Sequence, residues 1–411
     1  MGRELIQVGM VAMLFYASLA CTLDYPVTEA FMFFSADARD YREVGDWLLH
    51  GTATDATLLR PYLYPVVRAV ASSLGGAVGV WAMQAMAWLV CVICVHLAVL
   101  TVTGRRWLAW VVSTMLMLNL SLFALTYHAL TEVFTAMLLS VLMLFLAGNI
   151  DRWARPRFFC SIVLQLALLS LVRPVFFPLL LVWLFVCGPL LYYQAFKATP
   201  KALFLLVLTL LPVVPQLVIM RTKHDHLGIS TVGESAFRNY LFAEGYGKVN
   251  GLSFSNARVA VQDLSGSEMR RFLGEHARTF IGLYGTHLER NIYRPDGVSL
   301  ELVPKYEHPR ARLFMMRTNK VYTVLHVLAF LPCSWLFIMM IRRGDKGHAV
   351  LWGMAMVVTW FILLTCGISF WQRDRLVVPV VPVFLILYMI TVDALLPFRR
   401  SMIKAEGSGT P

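Results

Sequence analysis

The stretch VGVWAMQAMAWLVCVICVHLAVLTVT, residues 78–103, decides the class of this protein, because its 26 residues include no Asp, Glu, Lys or Arg. About 20 apolar residues in a helix cross a hydrocarbon layer of about 30 Å, so this stretch predicts a transmembrane helix. The whole chain is also strongly apolar: of 411 residues, 58% are hydrophobic and 15% charged, and the mean hydropathy is +0.67. One soluble core cannot bury that much apolar surface, so we predict an all-α polytopic membrane protein.

Ten apolar runs predict about ten transmembrane helices. They lie at 5–23, 78–103, 108–127, 133–150, 158–172, 174–194, 202–220, 321–341, 348–369 and 376–396. One alternative stays open, because Pro174 and Pro178 interrupt helical hydrogen bonding and would allow a single broken span over 158–194. Nine spans would place residues 221–320 on the cytoplasmic face, whereas ten place them outside.

The basic residues favour ten spans. Of the 36 Lys and Arg, 14 fall in the connections and termini of one face, which are Arg3, Arg105, Arg106, Arg152, Arg155, Arg157, Lys197, Lys201, Arg342, Arg343, Lys346, Arg399, Arg400 and Lys404. Short cytoplasmic connections are enriched in Lys and Arg, so we predict an inner-membrane protein with both termini cytoplasmic. The functional residues are then expected on the opposite, periplasmic or extracellular face.

The runs divide the chain into four predicted parts. Residues 1–220 form an N-terminal membrane module with a first outer loop at 24–77, residues 321–396 hold the last spans, and 397–411 form a cytoplasmic tail. Segment 221–320 carries 15 basic and ten acidic residues and is predicted to lie at the membrane interface, with a single helix in its EMRRFLGEHARTFIGLYGTHLERNIYRP stretch. Its positive balance indicates either an acceptor-binding surface or general attraction to anionic lipid.

The first outer loop is predicted to form two amphipathic helices on the membrane. In the first helix Asp37 recurs at helical spacing with Tyr41, Val44 and Leu48, and Gly51 is expected to end it. An acid on the apolar stripe has two explanations. It is either a cap worth about 1 kcal/mol or a functional carboxylate.

The second loop helix is predicted to open at Pro61. Its aromatic residues Tyr62 and Tyr64 are expected at the level of the lipid headgroups.

Three arginines stand at the predicted outer boundary, where a cation is costly unless it meets an anion. These are Arg173, Arg373 and Arg375. Each alone is explained by snorkelling to lipid phosphate, with Asp374 partly neutralising its neighbours. Together, beside an acidic loop, they favour a pocket for a phosphate-bearing lipid.

Two further polar residues stand near the same boundary. Glu132 opens the apolar run that follows LTEVF, where it either stabilises the helix N-terminus or orients an arginine or a sugar. His128 has no second histidine at ligand spacing, so a hydrogen-bonded interfacial role is favoured and no metal site is predicted. The seven cysteines lie in apolar runs, and the pair Cys91 and Cys94 is expected to serve packing.

The order of these motifs resembles the GT-C superfamily of polyprenyl-phosphate-sugar glycosyltransferases. The motifs are DARDYREVGDWLLHG, then RPYLYPVV, LTEVF, LVRPVFF and RDRLVVPVVPVFLIL. The branch that contains the protein O-mannosyltransferases and the lipid A aminoarabinose transferases is the most similar. The resemblance covers about residues 1–220 and 321–396.

The resemblance implies a lipid-linked sugar donor and a first-loop acid as catalytic base. Asp37 matches that acid, with Tyr41 and Gly51 following at the family's spacing, but the adjacent acidic pair of some members is missing, so Asp40 remains an alternative base. Arg173, Arg373 and Arg375 are implied to bind the donor phosphate. Supporting or substrate-binding roles are implied for Tyr41, Arg60, Tyr64, His128 and Glu132.

The expected activity is therefore transfer of a sugar, with inversion, from a polyprenyl-phosphate donor to a glycolipid, glycan or protein of the cell envelope. The expected partners are the donor, the acceptor and membrane lipids, without a nucleic acid. The sequence departs from the family in lacking a large soluble C-terminal domain. It matches none of the acidic metal-binding motifs of oligosaccharyltransferases, so no metal and no cofactor are predicted. Two alternatives share this composition, namely a carrier or flippase of lipid-linked sugars and a polymerase or ligase of lipid-linked glycans.

Overall fold

A computed structural model describes residues 2–51, 55–199, 201–293, 309–369 and 373–407, and within these ranges the secondary structure is helical, without strands. The predicted all-α class is confirmed. The main helices are α1 (Gly2–Leu23), α2 (Ala36–His50), α3 (Leu63–Thr103), α4 (Arg106–Met117), α5 (Glu132–Gly148), α6 (Pro156–Val172), α7 (Pro174–Ala198), α8 (Lys201–His224), α9 (Ala277–Tyr293), α10 (Pro309–Arg342), α11 (Lys346–Ile368) and α12 (Val378–Leu396).

The described helices include seven that are long and apolar enough to cross a membrane, or eight if α4 is joined to the bent continuation Leu120–Tyr127. Large apolar side chains such as Leu74, Leu190 and Leu331 are mostly exposed on the outside of the bundle, as lipid contact requires. A multi-pass membrane protein is therefore supported. Helices α5 and α6 are apolar but have 17 residues each, roughly 26 Å, so ten crossings remain a prediction.

The chain reverses direction between α6 and α7. Phe159, near the start of α6, packs against Tyr192 and Phe196, near the end of α7, with ring centroids 4.8 and 5.5 Å apart. The two helices therefore lie antiparallel, with Arg173 in the connection. This arrangement differs from the alternative of one interrupted span.

The first loop forms α2 as predicted, and Gly51 ends it in the left-handed conformation at φ 75°. The second loop helix starts at Leu63 rather than Pro61 and belongs to α3, which breaks at Gly75 and Gly76. Gly76 has φ 56° and ψ −136°, a conformation that glycine adopts readily because it lacks a Cβ atom. The break separates the loop part of α3 from the apolar run that opened the sequence.

Residues 232–293 form a small helical unit with its own apolar cluster. Its elements are Val232–Ala236, Phe237–Phe242, Ala243–Asn250, Phe254–Ala260, Gly266–Glu275 and α9. The single helix predicted from EMRRFLGEHARTF onwards is wrong, because the chain breaks at His276. The break lets Phe272 and Phe280 both pack on Phe242, with centroids 5.8 and 5.5 Å away.

Two side chains of α9 attach this unit to the end of α11. Tyr284 donates to the carbonyl oxygen of Leu364 at 2.5 Å, and the Asn291 amide donates to the carbonyl oxygens of Cys366 and Ser369. These bonds reach carbonyl oxygens in the last turn of α11 and just after it, where a helix end offers carbonyl groups fewer partners. They also fix the unit over the turn Arg373–Leu376, against which α9 packs.

At one end of the bundle, ion pairs join the starts and ends of several helices. Arg106 Nε lies 2.8 Å from a carboxylate oxygen of Glu4, and Arg105 Nε lies 2.5 Å from Asp393. We call these four residues the Glu4 network. They come from the predicted cytoplasmic face, and the structure places them together at one end.

Candidate functional site

The candidate site lies at the opposite end of the bundle and begins with Asp37 in the first turn of α2. The helix cap is Ser35, whose hydroxyl oxygen accepts from the backbone N–H of Ala38 at 3.2 Å. The capping explanation for Asp37 is therefore wrong, because that position is already filled. Its carboxylate instead faces two arginines from distant parts of the chain.

The two arginines bind the two carboxylate oxygens of Asp37 separately. Arg60 Nη2 lies 2.5 Å from Oδ1, and Arg375 Nη2 lies 2.7 Å from Oδ2. Arg375 also donates through Nε to Glu132 at 2.8 Å. The Arg375 and Glu132 side chains are 6% and 3% exposed, so this is a buried pair.

Asp40 completes the cluster through Arg60 alone. The Nε and Nη2 atoms of Arg60 lie 3.1 and 3.0 Å from one Asp40 oxygen, and its guanidinium group stands 5.1 Å from the Tyr41 ring centre. We call Asp37, Asp40, Arg60, Glu132 and Arg375 the Asp37 network. Its described members include three carboxylates and two guanidinium groups, which leaves one formal negative charge in excess.

The two aspartates differ in their affinity for a proton. Burial by itself would raise the pKa of Asp37, but the charges of Arg375 and Arg60 outweigh it and hold the pKa at about 2. Burial raises the pKa of Asp40, and Arg60 only partly offsets the effect. Asp37 is thus ionised at any physiological pH, and its ionised form is held in place by both arginines.

A layer of hydrogen bonds beneath the network positions Glu132. The Tyr41 hydroxyl lies 3.4 Å from that of Thr131, and the buried amide of Gln84 donates to the carbonyl oxygens of Leu130 at 2.7 Å and His128 at 3.1 Å. These contacts fix the turn that leads into α5. The turn before α5 therefore holds the Glu132 carboxylate in position to accept the hydrogen bond from Arg375.

Two supporting residues lie deeper than expected. Tyr64 is fully buried and its hydroxyl lies 2.7 Å from the Gln84 amide nitrogen, so its expected place among the headgroups is wrong. The aromatic ring and the hydroxyl serve contacts between helices instead. His128 is also buried, and its ring packs 4.9 Å from that of Phe31.

The structure describes the side chains of two of the three boundary arginines, and these two have different partners. Arg375 belongs to the Asp37 network, whereas Arg173 pairs with no carboxylate of the described residues, and the buried Nη1 atom of Arg173 makes no hydrogen bond. The difference follows from their positions in the chain, since Arg173 lies in the connection between α6 and α7 and Arg375 lies in the turn Arg373–Leu376. The side chain of Arg373 lies outside the described residues.

Sequence reasoning missed two residues of this region. Gln84 was hidden in the apolar run of α3, where one amide hardly changes the average hydropathy. Arg68 is 2% exposed, and its Nη2 atom lies 3.6 Å from Asp46 beside Gly45. A Cβ at Gly45 would come within 2.5 Å of Arg68 Nη2, which explains a glycine on this face of α2.

Comparison with protein-family models, curated proteins and solved structures finds no match to this chain. The described His, Cys, Asp and Glu residues form no group of three or more that is arranged to hold a metal ion. The role of the candidate site therefore has to be argued from the distances, burial and charges of its own residues.

Proposed function

We propose that the protein is a membrane glycosyltransferase that moves a sugar from a polyprenyl-phosphate donor to an acceptor of the cell envelope. The observation that carries this proposal is the Asp37 network. Its acids and arginines come from α2, the connection to α3, the start of α5 and the turn Arg373–Leu376, and they meet at one partly buried point whose Arg375–Glu132 pair is buried. Buried charges are costly to assemble unless they serve a purpose, so their concentration here supports a reactive site.

Asp37 is the base that we assign to this reaction. A polyprenyl phosphate is already a good leaving group, so the protein mainly orients the reactants and handles charge. The acceptor oxygen or nitrogen bonds to the anomeric carbon as the carbon–oxygen bond to the phosphate breaks, and the phosphate leaves with the electron pair. The acceptor proton passes to Asp37, and the single displacement inverts the anomeric carbon.

The low pKa of Asp37 is compatible with this role. The acceptor becomes strongly acidic only when its new bond is nearly formed, so the proton is transferred late to a carboxylate that is always ionised. Asp40 has a raised pKa but touches only Arg60, which lies between it and the rest of the network. We therefore assign the base to Asp37 and a supporting role to Asp40.

Ten membrane crossings complete the proposal, with both termini cytoplasmic and the Asp37 network on the outer face of the inner membrane. This topology is supported by the basic connections of one face and by the Glu4 network at the far end of the bundle. The unit at 232–293 would then lie outside the membrane next to the site, where an envelope acceptor can approach it.

The test is incubation of the purified protein with a polyprenyl-phosphate sugar and a mixture of envelope glycolipids. We expect free polyprenyl phosphate and a glycolipid heavier by one sugar, both detected by mass spectrometry. Donor that stays intact but bound would contradict transfer and would support a lipid-linked-sugar carrier. Lengthening of a lipid-linked glycan would indicate the polymerase alternative.

A further inference from the structure

The backbone that carries Arg60 is irregular. Asp37 and Asp40 lie in α2 and Glu132 lies in α5, whereas residues 59–62 belong to no helix. The Arg60 guanidinium group nevertheless reaches Asp37 at 2.5 Å and Asp40 at 3.0 Å. An irregular backbone that was free to move would lose conformational entropy in making these contacts. Residues 58–62, which we call the Arg60 segment, therefore have to be held by other parts of the chain.

Two hydrogen bonds hold the Arg60 segment on the side that precedes Arg60. The carbonyl oxygen of Leu58 accepts from the backbone N–H of Thr231 at 3.0 Å, and that of Leu59 accepts from the Ser230 hydroxyl at 2.7 Å. Ser230 and Thr231 lie in the connection between α8 and the helical unit at 232–293. This connection therefore fixes the residues just before Arg60.

Two more hydrogen bonds hold the segment on the side that follows Arg60. The backbone N–H of Tyr62 donates to the Gln216 amide oxygen at 3.1 Å, and the Tyr62 hydroxyl donates to the carbonyl oxygen of Pro212 at 2.8 Å. Both acceptors belong to α8, which is interrupted by a 3₁₀ turn at Leu211–Val213. This helix therefore fixes the residues just after Arg60.

Gln216 joins the two sides of the Arg60 segment. While its amide oxygen accepts from Tyr62, its Nε2 atom donates at 2.8 Å to the carbonyl oxygen of Ile229, the residue that precedes Ser230. Gln216 is 1% exposed, and a buried amide is costly unless both of its ends are bonded. Both ends are bonded here, and both partners are main-chain groups of irregular connections. One side chain of α8 thus links the supports on either side of Arg60.

The contacts of Gln216 parallel those of Gln84 on another side of the Asp37 network. Gln84 bonds to two carbonyl oxygens in the turn before Glu132, and Gln216 bonds to the backbone beside Arg60 and to the backbone that supports it. Polar side chains in apolar helices commonly form such bonds to neighbouring segments. Each glutamine therefore holds one irregular connection that carries a charged member of the network.

We propose that Gln216 is a positioning residue for Arg60 in the transfer reaction. This inference rests on the proposed function, in which Asp37 is the base and Arg60 holds one of its two carboxylate oxygens. A hydrogen bond between charged groups is short and weakens when its partners move apart. Loss of the Gln216 bonds would let Arg60 move, and a misplacement of about 1 Å in a reactive site can slow a reaction by about 10².

The first test is hydrogen–deuterium exchange at the Tyr62 amide in the full-length protein in detergent, without donor or acceptor. Gln216→Met has a similar size but cannot accept from this N–H, so we expect exchange to become faster by about tenfold or more. Gln216→Glu keeps an acceptor oxygen and should restore part of the protection; it also replaces the methionine variant if that variant does not fold. Gln165→Met is the control, a similar change in α6, and should leave the Tyr62 exchange rate unchanged. Exchange at the natural rate in Gln216→Met would overturn the inference.

The second test separates a positioning role from a general loss of structure. Gln216→Met should lower kcat by about tenfold and leave the KM for the polyprenyl-phosphate sugar within about twofold, because Gln216 acts on the base rather than on the donor. In a protein that already carries Arg60→Gln, the same change should lower kcat by less than about twofold, since the group it positions is gone. Equal losses of kcat in both backgrounds would show that Gln216 does not act through Arg60.

The two tests distinguish failure of this inference from failure of the proposed function. If the natural protein transfers no sugar, the proposed function is contradicted, and the assignment of a role in transfer falls with it, whereas the exchange result still shows whether Gln216 holds the Arg60 segment. If the natural protein transfers sugar and Gln216→Met exchanges faster at Tyr62 but keeps the natural kcat, the positioning role is contradicted and the proposed function stands.

Discussion

The two ends of the helix bundle each carry a cluster of acids and arginines, but the clusters are built differently. In the Glu4 network each arginine has its own acid, the formal charges cancel, and the Arg106 side chain is 75% exposed. In the Asp37 network each arginine is shared between two acids, one negative charge is in excess, and the Arg375–Glu132 pair is buried. The first arrangement is sufficient to join helices, whereas the second leaves one carboxylate charge uncompensated, and the proposed function uses that carboxylate as a base.

The largest expected difference between the ends concerns stability. Arg375→Gln leaves Asp37 and Glu132 buried without their shared cation, so we expect a loss of about 3–5 kcal/mol in the free energy of unfolding. Arg105→Gln removes a partly exposed pair of the Glu4 network and should cost about 0–1 kcal/mol. Denaturant unfolding in detergent measures both, and equal losses would show that the two clusters have the same role.

The next largest effect on stability is expected from the Gln84 hydrogen bonds that lie beneath the Asp37 network. Gln84→Met removes the donor to the Leu130 and His128 carbonyl oxygens, so we expect a loss of about 1–3 kcal/mol and slower transfer.

Gln165 provides the matched control for Gln84, because it is another glutamine in an apolar helix and its buried amide oxygen has no hydrogen-bond partner. Gln165→Met should therefore be nearly neutral. If Gln84→Met were as stable and as active as Gln165→Met, the turn before Glu132 would not depend on this amide.

A smaller effect is expected within the Asp37 network itself. Asp40→Asn loses only a contact with Arg60, so we expect the transfer rate to fall by about tenfold or less. Steady-state kinetics with the purified protein measures the change. A loss of several orders of magnitude would move the base from Asp37 to Asp40.

The smallest predicted change is a shift of the pH profile. With its pKa at about 2, Asp37 is ionised throughout the range in which the protein is folded, so it should cause no acid limb near neutral pH. Arg60→Gln removes one of the two cations beside Asp37 and so raises the pKa of Asp37. The pH below which kcat/KM falls should then rise by about one pH unit. The pH profile of Arg105→Gln should match that of the natural protein. A shift in the Arg105→Gln profile would show that the change is not caused by the pKa of Asp37.

The sequence was most informative where a single segment decides the structure. The apolar run at 78–103 predicted the main part of α3, and the spacing of Tyr41, Val44 and Gly51 predicted α2. The rule that outer arginines need anions correctly drew attention to Arg375, which meets Asp37 and Glu132. These features depend on local pattern or on a general electrostatic cost.

Features that depend on distant contacts could not be predicted. Nothing near Arg173 in sequence shows that the connection between α6 and α7 sets it apart from Arg375. The break at His276 depends on how two phenylalanines pack on Phe242, and the depth of Tyr64 depends on Gln84. In each case the partner lies far away in the chain, and local periodicity contains no information about it.

We propose that the Asp37 network carries out transfer and that the Glu4 network only joins helices. The most direct test compares single-turnover rates of Asp37→Asn and Asp393→Asn with saturating polyprenyl-phosphate sugar and acceptor. We predict that Asp37→Asn binds the donor normally but slows transfer by about 10² to 10⁴, while Asp393→Asn transfers at the natural rate. Transfer by Asp37→Asn at the natural rate, or equal losses in both variants, would contradict the account.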